Sequence, residues 1–224
     1  MRVAVLRPEP GNAETCARLT VLGHDPIALP LFEVAPIPWT PPEGGFDGLL
    51  LTSANAARHA GPGLARYAAL PVLAVGAATA TAARAAGLAV ARVGTGDAAA
   101  LLAEPHGCSR LLHLGGEATT VTVGGPVAAS VPVYANRPCE VAPARILELA
   151  GALALLHAPS AARRFAELVE QAGLDRGYIA LAALSPAVAS AAGGGWAELR
   201  VAASPNEAAL LRLTAPACPP ISEP

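Results

Sequence analysis

Not one of the 224 residues is lysine, and all 15 basic residues are arginine. No Schiff base can therefore form on a side-chain amine, and a phosphate-loop lysine is excluded as well. Charged residues make up only 14% of the chain and balance to a net charge of −2, which gives no general attraction to nucleic acid or an anionic membrane. The partner expected is a small molecule, and any anion must be held by local donors. Cys16, Cys108, Cys139 and Cys218 are scattered without CxxC spacing, so they suggest neither a zinc site nor a redox pair and read as reduced thiols. Residues 3–6 are too short an apolar run for a signal-peptide core, so a cytoplasmic protein is expected. HExxH, GxSxG and a strand-borne GxGxxG are all missing, and no metal or cofactor is expected.

Residues 177–197 carry no formal charge over a length that would span a bilayer. Their apolar content is mostly alanine, interrupted by Ser185-Pro186 and Gly193-Gly194-Gly195, so a strand and a buried helix are expected instead of a membrane span. Aromatic side chains are few, with two Trp, three Tyr and three Phe, although 53% of the residues are hydrophobic. Such a composition suits alanine-rich helices packed closely on sheets.

The chain also repeats itself. Leu49-Leu50-Leu51-Thr52-Ser53-Ala54-Asn55 returns as Leu153-Ala154-Leu155-Leu156-His157-Ala158-Pro159-Ser160, and Val72 to Thr79 has a counterpart from Ile179 to Pro186. Ser53 and Ala158 are 105 positions apart, Gly76 and Ser185 are 109 apart, as are Leu101 and Leu210, and the opening Val3-Ala4-Val5-Leu6-Arg7 resembles Leu111-Leu112-His113-Leu114-Gly115 at 108. A near-constant offset indicates an internal duplication, hence two small domains of one type.

Within the first copy, strands are expected at 3–6, 27–29, 49–51, 72–75 and 90–93, with helices at 12–22, 54–67, 78–86 and 97–103. A strand–helix–strand group is expected over 111–134. The second copy gives strands at 153–156, 179–181 and 199–201 and helices at 161–172, 187–192 and 207–213. Strict alternation of this kind predicts parallel sheets covered by helices on both faces. The proline-rich residues 35–45 read as an extended linker and 135–138 as a second. The domains then comprise 1–34 with 139–213, and 46–134, followed by a disordered tail over 214–224.

In a parallel sheet, ligands gather at the carboxyl ends of the strands. The strand ends here carry small or polar residues at Arg7-Pro8, Thr52-Ser53-Ala54-Asn55, Gly76-Ala77, Gly115-Gly116, Ala158-Pro159-Ser160 and Ser185-Pro186. Each passes into a helix whose first amide groups favour carboxylate or phosphate without a basic surface. Ser53, Asn55 and Ser160 are equally suited to capping those helices, and Arg7 and Arg137 to exposed ion pairs. His157 is as well suited to packing as to proton transfer.

The Arg7-Pro8 opening, Leu50 to Ala56, Ala74-Val75-Gly76-Ala77-Ala78-Thr79, the Val133-Tyr134 edge and the tandem arrangement together resemble the uroporphyrinogen-III synthase family over about residues 2 to 212. This resemblance implies two flavodoxin-like α/β domains interleaved on two linkers about a cleft, in a cofactor-free monomer fed transiently by the upstream deaminase. It implies a reaction on hydroxymethylbilane, a linear tetrapyrrole with eight carboxylates. Loss of the terminal hydroxyl gives an azafulvene, attack at the substituted position of ring D gives a spiro-pyrrolenine, and reclosure gives uroporphyrinogen III. Tyr134 takes the family's tyrosine position, as hydrogen-bond donor or weak acid to the leaving hydroxyl. Arg7, Thr52, Ser53, Ala54, Asn55, Gly76, Ala77, Thr79, Gly115, Arg137, Ser160 and Ser185 are the implied substrate-binding residues. The chain departs from the family at Ala158, where serine is usual, and at Val188, where a Gly-x-x-Thr pattern would place threonine. A non-catalytic two-domain protein binding a small anion is the alternative, while a nucleotide-dependent transferase is disfavoured by the missing phosphate loops.

Overall fold

The computed structural model describes residues 1–215. Most of the expected tail over 214–224 therefore lies outside the described residues. Thr214 does not: it is buried, and its hydroxyl lies 2.8 Å from His24 Nε2 and 2.7 Å from the Leu211 carbonyl.

The chain divides into two compact units, Met1–Glu33 with the chain from Pro138 onward, and Val34–Arg137. The first unit contains β1 (Arg2–Val5), α1 (Gly11–Val21) and β2 (Asp25–Ala28). After the second unit it resumes with α5 (Pro143–Leu147), β9 (Leu153–Leu156), α6 (Pro159–Gln171), β10 (Ala180–Ala183), α7 (Pro186–Ala192), β11 (Glu198–Val201) and α8 (Glu207–Arg212). Its sheet runs β11-β10-β9-β1-β2 and is parallel throughout. Alternation divides each strand between two cores. Ala4, Ala154, Leu156 and Leu181 face Phe165 and Val169 of α6 and Val188 of α7, whereas Val3, Val5, Leu153 and Leu155 face Leu19 of α1 and Leu210 of α8. Residues 177–197 form β10 and α7 with a preceding 3-10 turn, Arg176–Tyr178, as the alanine content indicated.

The second unit contains β4 (Gly48–Leu51), α2 (Ala54–His59), β5 (Val72–Val75), α3 (Ala77–Ala85), β6 (Val90–Gly94), α4 (Ala98–Ala103), β7 (Leu111–Gly116) and β8 (Val127–Pro138). Strand β3 (Phe32–Pro36) joins its edge, giving the order β3-β8-β7-β4-β5-β6. The pairs from β8 to β6 are parallel. Hydrogen bonds from Ile37 N to Val133 O and from Cys139 N to Leu31 O run in opposite chain directions, so β3 lies antiparallel and the sheet is mixed. Leu49, Leu51, Leu112 and Leu114 pack on α2 and α3, and Leu50, Leu73 and Leu111 on Leu101 of α4.

Ignoring β3, the two sheets have one topology. Read by the duplication, β1, β2, β9, β10 and β11 correspond to β7, β8, β4, β5 and β6, and the orders then coincide. In both, chain direction across the sheet reverses once, between β1 and β9 and between β7 and β4. That switch point is where doubly wound sheets hold ligands.

Four local expectations change, and the first is that residues 135–138, expected as a second linker, continue β8. The helix expected over 54–67 ends at His59, and a 3-10 segment, Gly61–Tyr67, follows; Gly61 has φ +64° and Pro62 cannot continue an α-helical ladder. No helix separates β7 from β8. Residues 117–126 include Thr119-Thr120-Val121-Thr122-Val123, β-branched residues that form helices poorly, and end in Gly124-Gly125-Pro126. The proline-rich stretch is extended but not free, because Trp39 Nε1 donates to the Ala60 carbonyl at 2.7 Å and the Pro42 carbonyl accepts from the Tyr67 hydroxyl at 2.8 Å. Its aromatic anchor stacks on Tyr67 with centroids 6.4 Å apart.

Each unit carries one of the chain's two tryptophans, Trp39 and Trp196. Phe165 is fully buried and stacks on Trp196 at 5.6 Å. Phe165→Ala is expected to lower the stability of the first unit by about 3–5 kcal/mol, measured as the urea transition of Trp196 fluorescence in a Trp39→Phe background.

Candidate functional site

The central strands β4 and β9 are buried on both faces, so polar side chains concentrate where such strands end. At the switch point of the second unit, Thr52 follows β4 and Gly116 ends β7. A pocket of about 280 Å³ is lined there by Thr52, Ser53, Val75, Asp97, Gly116, Thr119, Thr120 and Tyr134, among others. Tyr134 sits on β8 opposite Gly116. A Cβ at Gly116 would lie 2.9 Å from the Tyr134 ring, so glycine is what lets the phenol lie flat against the strand end. The His59 ring approaches on another side, with its centroid 6.4 Å away. Burial first, and then the Arg58 charge, hold the His59 pKa below its usual value.

Beneath the pocket lies a polar chain that the sequence did not disclose. His113, in the middle of β7, is fully buried. Its Nε2 lies 3.1 Å from Thr52 Oγ1 and its Nδ1 lies 2.7 Å from Ser130 Oγ, so both ring nitrogens are satisfied across three neighbouring strands. Desolvation pushes its pKa down to about 4, and the ring is neutral at ordinary pH. Gly115 is buried beside that ring, where a Cβ would meet Cε1 at 2.5 Å. Its place is therefore against His113, and Gly116 supplies the pocket wall.

The other expected residues of this unit sit around the same edge. Ser53 caps α2, accepting from Asn55 N at 3.2 Å, while Ala54 and Asn55 form the first turn. Gly76, with φ +88°, caps α3 ahead of Ala77, and Thr79 turns inward with 4% exposure. Arg137 lies one residue before the end of β8 and pairs with Glu117 at 3.1 Å, both largely exposed. Asp97 caps α4 through Ala100 N at 2.8 Å.

At the switch point of the first unit, the positions of Thr52 and Gly115 are taken by His157 and Arg7. Both reach Glu207, the first residue of α8: Arg7 Nη1 donates to Oε2 at 3.0 Å, His157 Nε2 lies 3.1 Å from the same oxygen, and Thr15 Oγ1 donates to Oε1 at 2.6 Å. Burial alone would raise the Glu207 pKa, but hydrogen bonds from His157 and Thr15 and the charges of His157 and Arg7 outweigh it and hold the carboxyl at about 2. Arg7 is thus neutralised within its own unit. Ser185 caps α7 through Val188 N at 3.4 Å. Ser160 does not cap α6, because Ala158 occupies that position and offers no side-chain acceptor. The first-turn amides of α6 are left without a side-chain cap.

Signals for the missed residues were thin. A single histidine in an apolar strand resembles a packing residue, and Glu207 stood in a repeated segment as an ordinary first-turn acid. Gly115, two residues after His113 and on the same face, was the one available hint. Among the described residues no group of three or more His, Cys, Asp or Glu side chains gathers as for a metal ion. No described helix is long and apolar enough to cross a membrane.

A family model described as uroporphyrinogen-III synthase HemD matches residues 13–212. Among solved structures, the fold is similar to that of uroporphyrinogen-III synthetase from Helicobacter pylori 26695, with a TM-score of 0.63 and 18% identity, covering 95% of this chain and 98% of that one. A mutant uroporphyrinogen III synthase from Thermus thermophilus matches with a TM-score of 0.49 and 20% identity, covering 89% and 92%. No curated protein matches the chain.

Gly115→Ala is expected to displace the His113 ring from Thr52 and Ser130 and to cost about 1–3 kcal/mol of stability by chemical denaturation. Glu207 gives a pH test. Its folded pKa of about 2 lies below its unfolded value of about 4.3, so its contribution is present above the unfolded value and lost as pH falls through the folded one. The stability difference between wild type and Glu207→Gln should be constant above about pH 5 and shrink steadily between about pH 4 and 2.

Proposed function

Since the chain belongs to the uroporphyrinogen-III synthase family, we propose that it converts hydroxymethylbilane to uroporphyrinogen III, closing the linear tetrapyrrole with inversion of ring D and no cofactor. The observation that carries this reading is the family match over residues 13–212 of a chain whose two sheets repeat one topology. The Tyr134 pocket lies at the switch point where that topology favours a ligand.

The chemistry asks for little functional machinery. The hydroxyl must leave, and the resulting electrophile must meet the substituted carbon of ring D before the unsubstituted one. Holding the rings in that arrangement supplies most of the selectivity. At about 280 Å³ the pocket is too small for a whole bilane and of a size for one substituted pyrrole. The Tyr134 phenol is its hydrogen-bond donor and assists departure of the hydroxyl. Thr52, Ser53, Thr119 and Thr120 offer further hydroxyls to ring carboxylates without adding charge. In the first unit, the first turn of α6, where Ala158 replaces the usual serine, has no side-chain cap. The enzyme acts as a cytoplasmic monomer and takes the bilane from the deaminase that produces it.

The test is direct. With hydroxymethylbilane generated in situ by a deaminase, the oxidised products should be predominantly type III porphyrin. Tyr134→Phe should lower the rate by about 10- to 100-fold while the protein remains folded. Only type I isomer from folded wild type would transfer the pocket to a non-catalytic anion-binding role.

A further inference from the structure

The chain of Thr52, His113 and Ser130 contains one hydrogen-bond direction that matters at the pocket. Thr52 lines the pocket with Tyr134, whereas His113 is sealed beneath it and Ser130 lies on the far side, on β8. A neutral imidazole has one N–H. If it is on Nδ1, it donates to Ser130, and Thr52 must spend its only hydrogen on Nε2. The threonine then presents lone pairs to the pocket. If it is on Nε2, it donates to Thr52, Ser130 donates to Nδ1, and the Thr52 hydrogen is free to point at a ligand.

We propose that His113 is a positioning residue that, as the Nε2–H tautomer, turns Thr52 into a hydrogen-bond donor toward a carboxylate of the bound tetrapyrrole. The inference rests on the synthase reading for its ligand, an acceptor-rich polycarboxylate that a hydroxyl presenting only lone pairs would repel. Three further observations support it. The histidine is too desolvated to protonate, so a doubly donating ring does not arise at ordinary pH. The site is built around the ring, since Gly115 leaves room that any side chain would fill. The three strands fix the partners in register, with Ser130 directly opposite His113 on β8 and Leu50, two residues before Thr52, opposite it on β4.

The tautomer can be read without turnover, by 15N NMR of wild-type protein labelled at histidine, alone and with uroporphyrin III. Protonated-type nitrogen at Nε2 in the bound state is expected, and Nδ1–H in the bound state overturns the proposal. Kinetics supply the second readout. His113→Leu should raise KM about tenfold with a smaller change in kcat, whereas His113→Gln, whose amide N–H can reach Thr52, should recover most of the loss. Because His113 acts through Thr52, the double variant Thr52→Val/His113→Leu should be no worse than Thr52→Val alone. Additive losses, or His113→Leu within twofold of wild type, overturn the proposal. If wild type yields only type I isomer, the synthase reading fails, and the same cycle measured as uroporphyrin III affinity together with the tautomer still decides the role of His113.

Discussion

Burial of the central strands on both faces is the constraint from which the other features follow. A parallel strand such as β4 or β9 touches helices above and below, so each of its four residues must be apolar. Functional groups are excluded from the strands and pushed to their carboxyl ends, where the chain turns into the next helix. The reversal of chain direction between two central strands then leaves a gap between those turns, and polar residues can meet there without burying unpaired groups. His113 is the exception that defines the rule. It is tolerated inside β7 because both nitrogens have partners on adjacent strands and because the ring gives up its charge.

The duplication places two equivalent gaps in the molecule and fills them differently. In the first unit an arginine, a histidine and a threonine converge on one carboxylate, Glu207, and the charges cancel locally. In the second unit the gap holds hydroxyls, a phenol and glycine over a neutral histidine. The pocket formed there has no arginine in its wall. Its wall is made of neutral hydroxyls and one carboxylate, Asp97, with helix termini beside them.

Pairing also limits what the arginines do. Arg7 is held by Glu207 and Arg137 by Glu117, so neither is a free cation waiting for a ligand. The first is a semi-buried pair whose geometry organises the switch point, and the second is exposed and contributes little to stability. Neutral groups fixed on strand ends offer shape and hydrogen-bond direction more specifically than mobile charges do.

The duplication, the alternating α/β order, the small and polar strand ends and the family were legible in the residues alone, because periodic burial and small residues at turns are local consequences of the backbone. Thr52 and Ser53 drew notice from their positions at those ends, and Tyr134 from the family resemblance. Tertiary structure alone decided that β3 runs antiparallel on the edge of the second sheet, that Glu207 claims Arg7 and His157, and that His113 links Thr52 to Ser130. Each of these depends on which strands lie side by side. Residues 52, 113 and 130 are far apart in the chain, and only the sheet order β8-β7-β4 brings their side chains within hydrogen-bonding distance.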